Sequence, residues 1–73
     1  MFGVTERELA RIKTAYPAGT RIVLMSMNDP YSRLTRGDKG TVNFVDDAGQ
    51  IHMKWDNGSS LALLPGEDCF RKE

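Results

Sequence analysis

The sequence predicts a small, mainly β domain in which one N-terminal α-helix precedes five short antiparallel strands. The spacing of apolar residues is helical over residues 4–16 and changes to an alternation of period two from Thr20 onward. Turn-forming residues then divide the rest of the chain into short segments, as in small β folds. The 73 residues allow one domain, which we expect to comprise 1–73 with its β unit at about 20–71.

The predicted helix carries strong signals at both ends. Thr5 is a favourable N-cap, and Glu8 three residues later completes a capping box. Val4 and Leu9 have the spacing of a hydrophobic staple, and Pro17 ends the helix. One apolar stripe runs along it, formed by Leu9, Ile12 and Tyr16. Because so short a helix is marginally stable alone, the stripe is expected to dock on the β unit.

Five later segments show the alternation or the β-branched and aromatic content of strands. They are residues 20–27, 41–45, 50–55, 59–64 and 69–71. Leu61 and Leu63 share one face of the fourth segment, and Phe44 in the second is expected to fill the core. An irregular arm, poor in core residues, is expected at 28–40 between the first two strands.

The turns predict how these strands pair. Asn57-Gly58 matches a type I′ hairpin turn, in which both central residues have positive φ. Gly49 supplies a positive φ after Asp46 and Asp47, which are common turn formers. Because unpaired strand edges favour aggregation, we expect closure into a small five-stranded SH3-like antiparallel barrel, with the helix over one opening.

Catalysis and metal binding are not expected. His52 is the sole histidine and Cys69 the sole cysteine, and neither stands in a context that activates a Cys–His pair. A structural zinc site takes four such ligands. Asp46 and Asp47 lack the further spaced ligands of a calcium loop, and the glycines form no phosphate-binding motif. We therefore predict a non-enzymatic protein with no metal and no cofactor.

The charges favour a protein partner. Ten basic and ten acidic side chains make the chain neutral, although residues 1–36 hold six basic and three acidic groups and residues 37–73 hold four and seven. A dedicated nucleic-acid binder usually has a basic excess, so neutrality disfavours nucleic acid. The opposite balance of the two halves also suits head-to-tail self-association, and the oligomeric state stays open.

The composition indicates a cytoplasmic protein that binds no membrane. No apolar run approaches the roughly 18 residues needed to cross a bilayer. The N-terminal residues include acidic side chains where a signal peptide has a basic and then an apolar region. One cysteine makes no internal disulfide, which is typical of a reducing compartment.

Motifs along most of the chain carry a resemblance to a known family. They are GTV at 40–42, VDDAG at 45–49, IHMKWDNG at 51–58 and PGEDCF at 65–70. From about Tyr16 to Arg71 the chain resembles a bacterial family of small domains of unknown function, often found on phages, plasmids and conjugative elements. Arg36 stands where members of that family often have proline. The resemblance implies an SH3-like barrel in a cytoplasmic, mobile-element setting, and it implies no activity.

Loops of an SH3-like barrel present exposed aromatic and charged residues to partners. The corresponding binding candidates in this chain are Tyr31, Arg33, Arg36, Asp56, Asn57 and Trp55. Several of them have a structural alternative. Trp55 can fill the core and Tyr31 can pin its arm against the barrel. Asp56 and Asn57 can serve only to shape their turn.

These observations lead us to expect a non-enzymatic protein-interaction module, acting as an accessory or host-defence-inhibiting factor of a phage, plasmid or conjugative element. One alternative is a nucleic-acid-associated small barrel that uses the basic N-terminal part together with Tyr31. The other alternative is a structural subunit that serves mainly to dimerise.

Overall fold

The computed structural model describes residues 5–26 and 33–73, which form one helix and four strands. In chain order the elements are α1 (Glu6–Ala15), β1 (Arg21–Ser26), β2 (Lys39–Val45), β3 (Ile51–Trp55) and β4 (Cys69–Lys72). The mainly β composition and the single helix before the strands are confirmed for the described part of the chain.

The helix begins where the capping signal predicts. Thr5 is the N-cap, and its hydroxyl oxygen accepts a hydrogen bond of 3.1 Å from the backbone N–H of Glu8. At the other end the N–H of Tyr16 donates to the carbonyl of Ile12 at 2.9 Å. Val4, half of the predicted staple, lies outside the described residues. Ile12 and Tyr16 are half-buried and pack against the core, so this part of the predicted stripe docks on the sheet.

The four strands form one antiparallel sheet in the order β3-β2-β1-β4. A hairpin joins β2 to β3, whereas β4 returns from the C-terminal end of the chain to pair with β1. Ile22 in β1 lies opposite Gly40 of β2 on one side and opposite Lys72 of β4 on the other. The sheet is not closed, so the five-stranded SH3-like barrel is not confirmed.

One face of the sheet carries the core. The core cluster joins alternate strand residues to leucines of the connecting segments and consists of Ile22, Leu24, Leu34, Val42, Ile51, Met53, Trp55 and Leu63. Leu34 belongs to the predicted arm, so the arm does contribute to the core. The opposite face, here called the outer face, is mostly polar and carries Arg21, Val23, Lys39, Thr41, His52, Lys54 and Arg71.

Trp55 is the largest fully buried side chain, and its position depends on a glycine. Trp55 lies opposite Gly40 in the pairing of β2 with β3 and is 1% exposed. A Cβ atom on Gly40 would lie 2.9 Å from Cε3 of Trp55 and 3.0 Å from the carbonyl oxygen of Lys54. The missing side chain at Gly40 therefore lets the indole pack directly against the backbone of β2.

The prediction of a fourth strand at 59–64 is wrong. This segment contacts β3 at separate points: the carbonyl of Ser59 accepts from Trp55, and Ile51 and Leu63 form an isolated bridge with two hydrogen bonds of 2.9 Å. Between these points the carbonyl of Leu61 accepts the indole N–H of Trp55 at 2.8 Å. Because the indole takes this carbonyl, no continuous ladder forms. Leu61 is accordingly 36% exposed although Leu63 is buried.

The turn after β3 also differs from the predicted type I′ turn. Among the described residues positive φ angles occur only at glycines, so Gly58 has a φ of 92° but Asn57 does not share this conformation. The N–H of Gly58 donates to the carbonyl of Trp55, and the N–H of Trp55 donates to Ser59, each at 2.9 Å. This is the bonding of a three-residue hairpin loop that ends in a glycine bulge. The same pattern follows β2, where Gly49 has a φ of 85° as predicted.

Replacing Gly40 with alanine is expected to destabilise the domain. In an unstrained strand this change is stabilising by roughly 0.4–1 kcal/mol, since glycine loses more conformational entropy on folding. Here the new Cβ atom would displace the Trp55 ring or the β3 backbone, so we expect a loss of about 1–3 kcal/mol in the free energy of unfolding. Urea unfolding followed by Trp55 fluorescence measures this loss. Lys54→Gln, at an exposed neighbour, is the control and should stay within about 0.5 kcal/mol. An alanine variant as stable as the parent would contradict the packing argument.

Candidate functional site

A β-bulge in β2 decides which side chains reach the outer face. Val42 lies opposite Met53 but Phe44 lies opposite His52, so Asn43 is an extra residue in β2. The extra residue reverses the alternation of the strand. Phe44 consequently turns outward and is 54% exposed, while the next residue, a valine, packs against the core. The prediction that Phe44 fills the core is therefore wrong.

Phe44 and His52 form a stacked pair on the outer face. Their ring centroids are 4.3 Å apart and their planes differ by 9°. On the imidazole, Nε2 lies 2.8 Å from Oδ2 of Asp46. An exposed aromatic ring, an imidazole and a carboxylate thus form one connected unit. We call Phe44, His52 and Asp46 together the Phe44 platform.

Asp46 is itself fixed by the turn in which it lies. Its Oδ1 accepts backbone hydrogen bonds from Ala48 at 3.0 Å and from Gln50 at 2.9 Å. The hydrogen bond with His52, followed by these two backbone bonds, lowers the pKa of Asp46 in spite of the opposing effect of desolvation. The carboxylate therefore stays ionised near neutral pH and orients the imidazole.

A groove opens beside the platform, where the end of α1 passes β2. Its volume is about 240 Å³, and its walls include Lys13, Tyr16, Pro17, Asn43, Phe44 and Val45. Lys13 forms an ion pair of 3.1 Å with Asp47. The Tyr16 ring packs edge-on against Phe70 with centroids 5.6 Å apart, and the ammonium of Lys72 lies 5.3 Å from its centre. The groove therefore has an apolar floor, a charged rim and walls that are held by other contacts.

A second, shallow depression lies on the outer face next to this groove. Its volume is about 600 Å³, and it is lined by Thr41, Asn43, Lys54, Trp55, Asp56 and Gly58. Asn43, the extra residue of the bulge, borders both depressions and is exposed. The two depressions are therefore neighbours along β2, and Asn43 lies between them.

Asp56 pairs with a cation within the chain. Both of its carboxylate oxygens accept from the guanidinium of Arg21, at 2.8 and 2.7 Å, and the same guanidinium donates to Thr41 at 3.0 Å. This bidentate hydrogen bond raises the pKa of Arg21 and lowers the pKa of Asp56. Glu73 extends the network, 3.8 Å from Arg21 and 3.4 Å from Lys39. The network ties the turn after β3 to β1 across the intervening strand.

Three of the predicted binding residues lie at the end of β3. Trp55 fills the core, which was the alternative to a binding role, so its ring does not form an exposed contact surface. The side chain of Asn57 accepts from the N–H of Ser59 at 2.9 Å and so shapes the turn. Binding by Asn57 and Asp56, which are both exposed, stays a prediction.

The other predicted binding residues lie on the arm before β2. Arg33 and Arg36 are exposed, and neither lines the two depressions described here. Tyr31 lies outside the described residues. The structure therefore does not bring the predicted arm cations into either depression, and their role in binding stays a prediction.

The residues that form the platform and its groove were not predicted from the sequence to form one site. Simple alternation places Val42 and Phe44 on the same face, and that reading favoured a buried phenylalanine. Asn43 was the signal that could have indicated the bulge, because asparagine is disfavoured within regular strands and is more readily placed at an irregularity. The contacts of His52 with Asp46 and Phe44 were not predicted.

The sole histidine and the sole cysteine lie on different strands. His52 lies on β3 and Cys69 begins β4, and these are the edge strands on opposite sides of the sheet. No group of three or more potential metal-ligating side chains is found in residues 5–26 and 33–73. Within the same residues, no helix has the length and apolar character to cross a bilayer.

Comparison with known families gives one match. The family model described as a domain of unknown function, DUF4314, matches residues 5–73. No curated protein matches the chain, and no solved structure does. The match begins at the N-cap of α1 and includes β4, so it covers the helix, the sheet and the candidate site.

We expect the pKa of Asp46 to respond to the side chain at position 52. An NMR titration of the carboxyl carbon should give the parent chain a pKa below the ordinary value of about 3.9. His52→Ala removes the largest cause of the lowering, so the pKa should rise toward that value. Because the folded-state pKa is lowered, the stabilisation is present above about pH 4 and is lost as the pH falls through the folded-state pKa.

The internal control for this titration is Asp56, whose pKa is lowered by Arg21 rather than by His52. Its titration should not change in the His52→Ala variant. An unchanged pKa at Asp46 would show that the imidazole does not hold the carboxylate.

Proposed function

The chain belongs to the DUF4314 family of domains of unknown function, and we propose that it is a non-enzymatic protein-binding module whose partner contacts the Phe44 platform and the adjoining groove. The observation that carries this proposal is the 54% exposure of Phe44, which directly follows the bulge near the end of β2. Burying a phenylalanine side chain is worth roughly 1.5–3 kcal/mol, which a small domain forgoes when the ring stays exposed. An exposed aromatic beside a groove is typical of an interaction surface.

The platform is suited to binding because it is ordered before any partner arrives. The ring of Phe44 stacks on His52, and Asp46 fixes that imidazole. A residue held in its bound orientation loses less conformational entropy on association. Binding hot spots commonly combine an aromatic anchor with a neighbouring pocket and a polar rim. The groove and the Lys13–Asp47 ion pair supply the pocket and the rim.

The charges around the platform favour a protein over a nucleic acid. Asp46 contacts the stacked imidazole directly, and Asp47 follows it in the same turn. The carboxylate of Asp46 in the platform would repel the phosphates that accompany a stacked base, whereas nucleic-acid affinity depends on neutralising phosphates. A protein surface can pair with both signs of charge. The neutral total charge of the chain agrees with this preference.

The biological setting and the finer fold assignment are also proposals. We propose that the domain is a variant of the SH3-like barrel in which the segment 59–64 replaces the strand that would continue the sheet. We further propose that it serves as an accessory or host-defence-inhibiting factor of a mobile element. The support for this setting is the resemblance of the motifs at 40–42, 45–49, 51–58 and 65–70.

Affinity capture from a lysate of the cell that carries the gene, followed by calorimetric titration of the captured protein, tests the proposed function. Phe44→Ala is expected to weaken binding by at least about tenfold, as for the loss of an aromatic hot spot. Because the ring is exposed and only pairs across strands, the free energy of unfolding should change by no more than about 1 kcal/mol.

Leu64→Ala is the matched control, since Leu64 is 38% exposed but does not line the groove. Its affinity for the partner should stay within about twofold of the parent, as for a near-neutral surface change. Equal losses in the two variants, or full affinity in Phe44→Ala, would show that the platform is not the binding surface. Capture of nucleic acid alone would favour the alternative of a nucleic-acid-associated small barrel.

A further inference from the structure

We infer that the partner presents an extended segment in which an apolar side chain and a carboxylate lie two residues apart, on the same face of the segment. This inference rests on the proposed function and specifies the chemistry that the same surface recognises. The apolar side chain fills the groove beside Phe44, and the carboxylate pairs with Lys54 in the second depression. Asn43, which borders both depressions, bonds the backbone between the two side chains.

The size and lining of the groove favour an apolar side chain as its occupant. Its volume of about 240 Å³ lies below the roughly 300–1,000 Å³ of typical small-molecule sites. Tyr16, Pro17 and Phe44, which have ring side chains, are among the residues that line it. Tyr16 cannot turn away freely because it packs against Phe70. A single aliphatic or aromatic side chain therefore matches the space better than a whole ligand.

The second depression offers a cation that is free to pair. Lys54 is exposed and stands two residues from His52 on the same face of β3. It has no carboxylate partner among residues 5–26 and 33–73. The carboxylate that shares the depression, Asp56, is already held by both arms of Arg21. The charge available to a partner at this end is therefore positive, and its complement is a carboxylate.

The spacing of the two contacts follows from the strand geometry. Lys54 and His52 lie two residues apart on β3, and His52 lies opposite Phe44 because Asn43 is an extra residue in β2. At a rise of about 3.3 Å per residue this separation is about 7 Å. An extended partner segment covers the same distance in two residues, whose side chains point to the same face of the segment. The carboxamide of Asn43 lies within this span and provides both a donor and an acceptor for a backbone.

Selection of displayed random decapeptides on the immobilised full chain tests the inference with a defined probe. Enriched peptides are expected to share an apolar residue and an aspartate or glutamate two positions apart. Selection on Lys54→Gln should keep the apolar residue and lose the acidic one. The Kd of a peptide selected on the parent should rise about two- to fivefold in Lys54→Gln, as for the loss of an exposed ion pair.

Arg71→Gln is the matched control on the same face. Arg71 is exposed, donates to the carbonyl of Lys72 at 3.3 Å and lines neither depression. Its variant should bind the selected peptide with the Kd of the parent. Added salt should weaken peptide binding to the parent and to Arg71→Gln, but it should have little effect on Lys54→Gln.

The outcomes separate this inference from the function on which it rests. Peptides that require Phe44 but share no acidic residue would overturn the inference and leave the binding platform intact. Peptides that bind Phe44→Ala as tightly as the parent would contradict the platform itself, and failure to enrich any peptide would overturn the inference. A short fluorescein-labelled oligothymidylate that binds the parent and is lost in Lys54→Gln would assign the cation to phosphate, which would also overturn it.

Discussion

The outer surface of this domain depends on one extra residue in β2. Without the bulge at Asn43, regular alternation would turn Phe44 toward the core and Val45 toward solvent. With it, the smaller valine packs against the core cluster, and the phenylalanine stacks on His52. The same residue separates the two depressions and borders both. One irregularity in one strand therefore determines the packing on one face and the binding chemistry on the other.

The turn that follows β2 serves the fold and the candidate site together. One carboxylate oxygen of Asp46 accepts backbone hydrogen bonds from Ala48 and Gln50 of the hairpin loop, and the other contacts His52. The residue that reverses the chain thus also orients the imidazole behind Phe44. Because these groups lie within a few residues of one another, the platform is assembled mainly from the β2–β3 hairpin. A hairpin that forms part of a larger sheet can keep such a site ordered although the domain core is small.

Local features of the fold could be predicted from the sequence, whereas features that depend on distant partners could not. The N-cap at Thr5 and most strands follow from short patterns, because capping and alternation are set by neighbours in sequence. The segment 59–64 alternates like a strand, but the Trp55 indole takes the Leu61 carbonyl and interrupts the ladder. Alternation likewise gave no reason to shift β2 by one residue. That shift lets Val45 pack against the core. The need for an apolar side chain at this place is set by tertiary packing.

The two aromatic residues of the hairpin show how a small domain can keep a rigid aromatic surface. Gly40 makes room for one large ring between β2 and the rest of the core, and Trp55 occupies it. Phe44, on the other face, therefore needs support that does not come from the core. The imidazole of His52 covers one side of its ring, and the ionised Asp46 holds that imidazole in place. Because this support lies on the surface, a partner can cover the free side of Phe44 without disturbing the core, so recognition and folding make separate demands on the same hairpin.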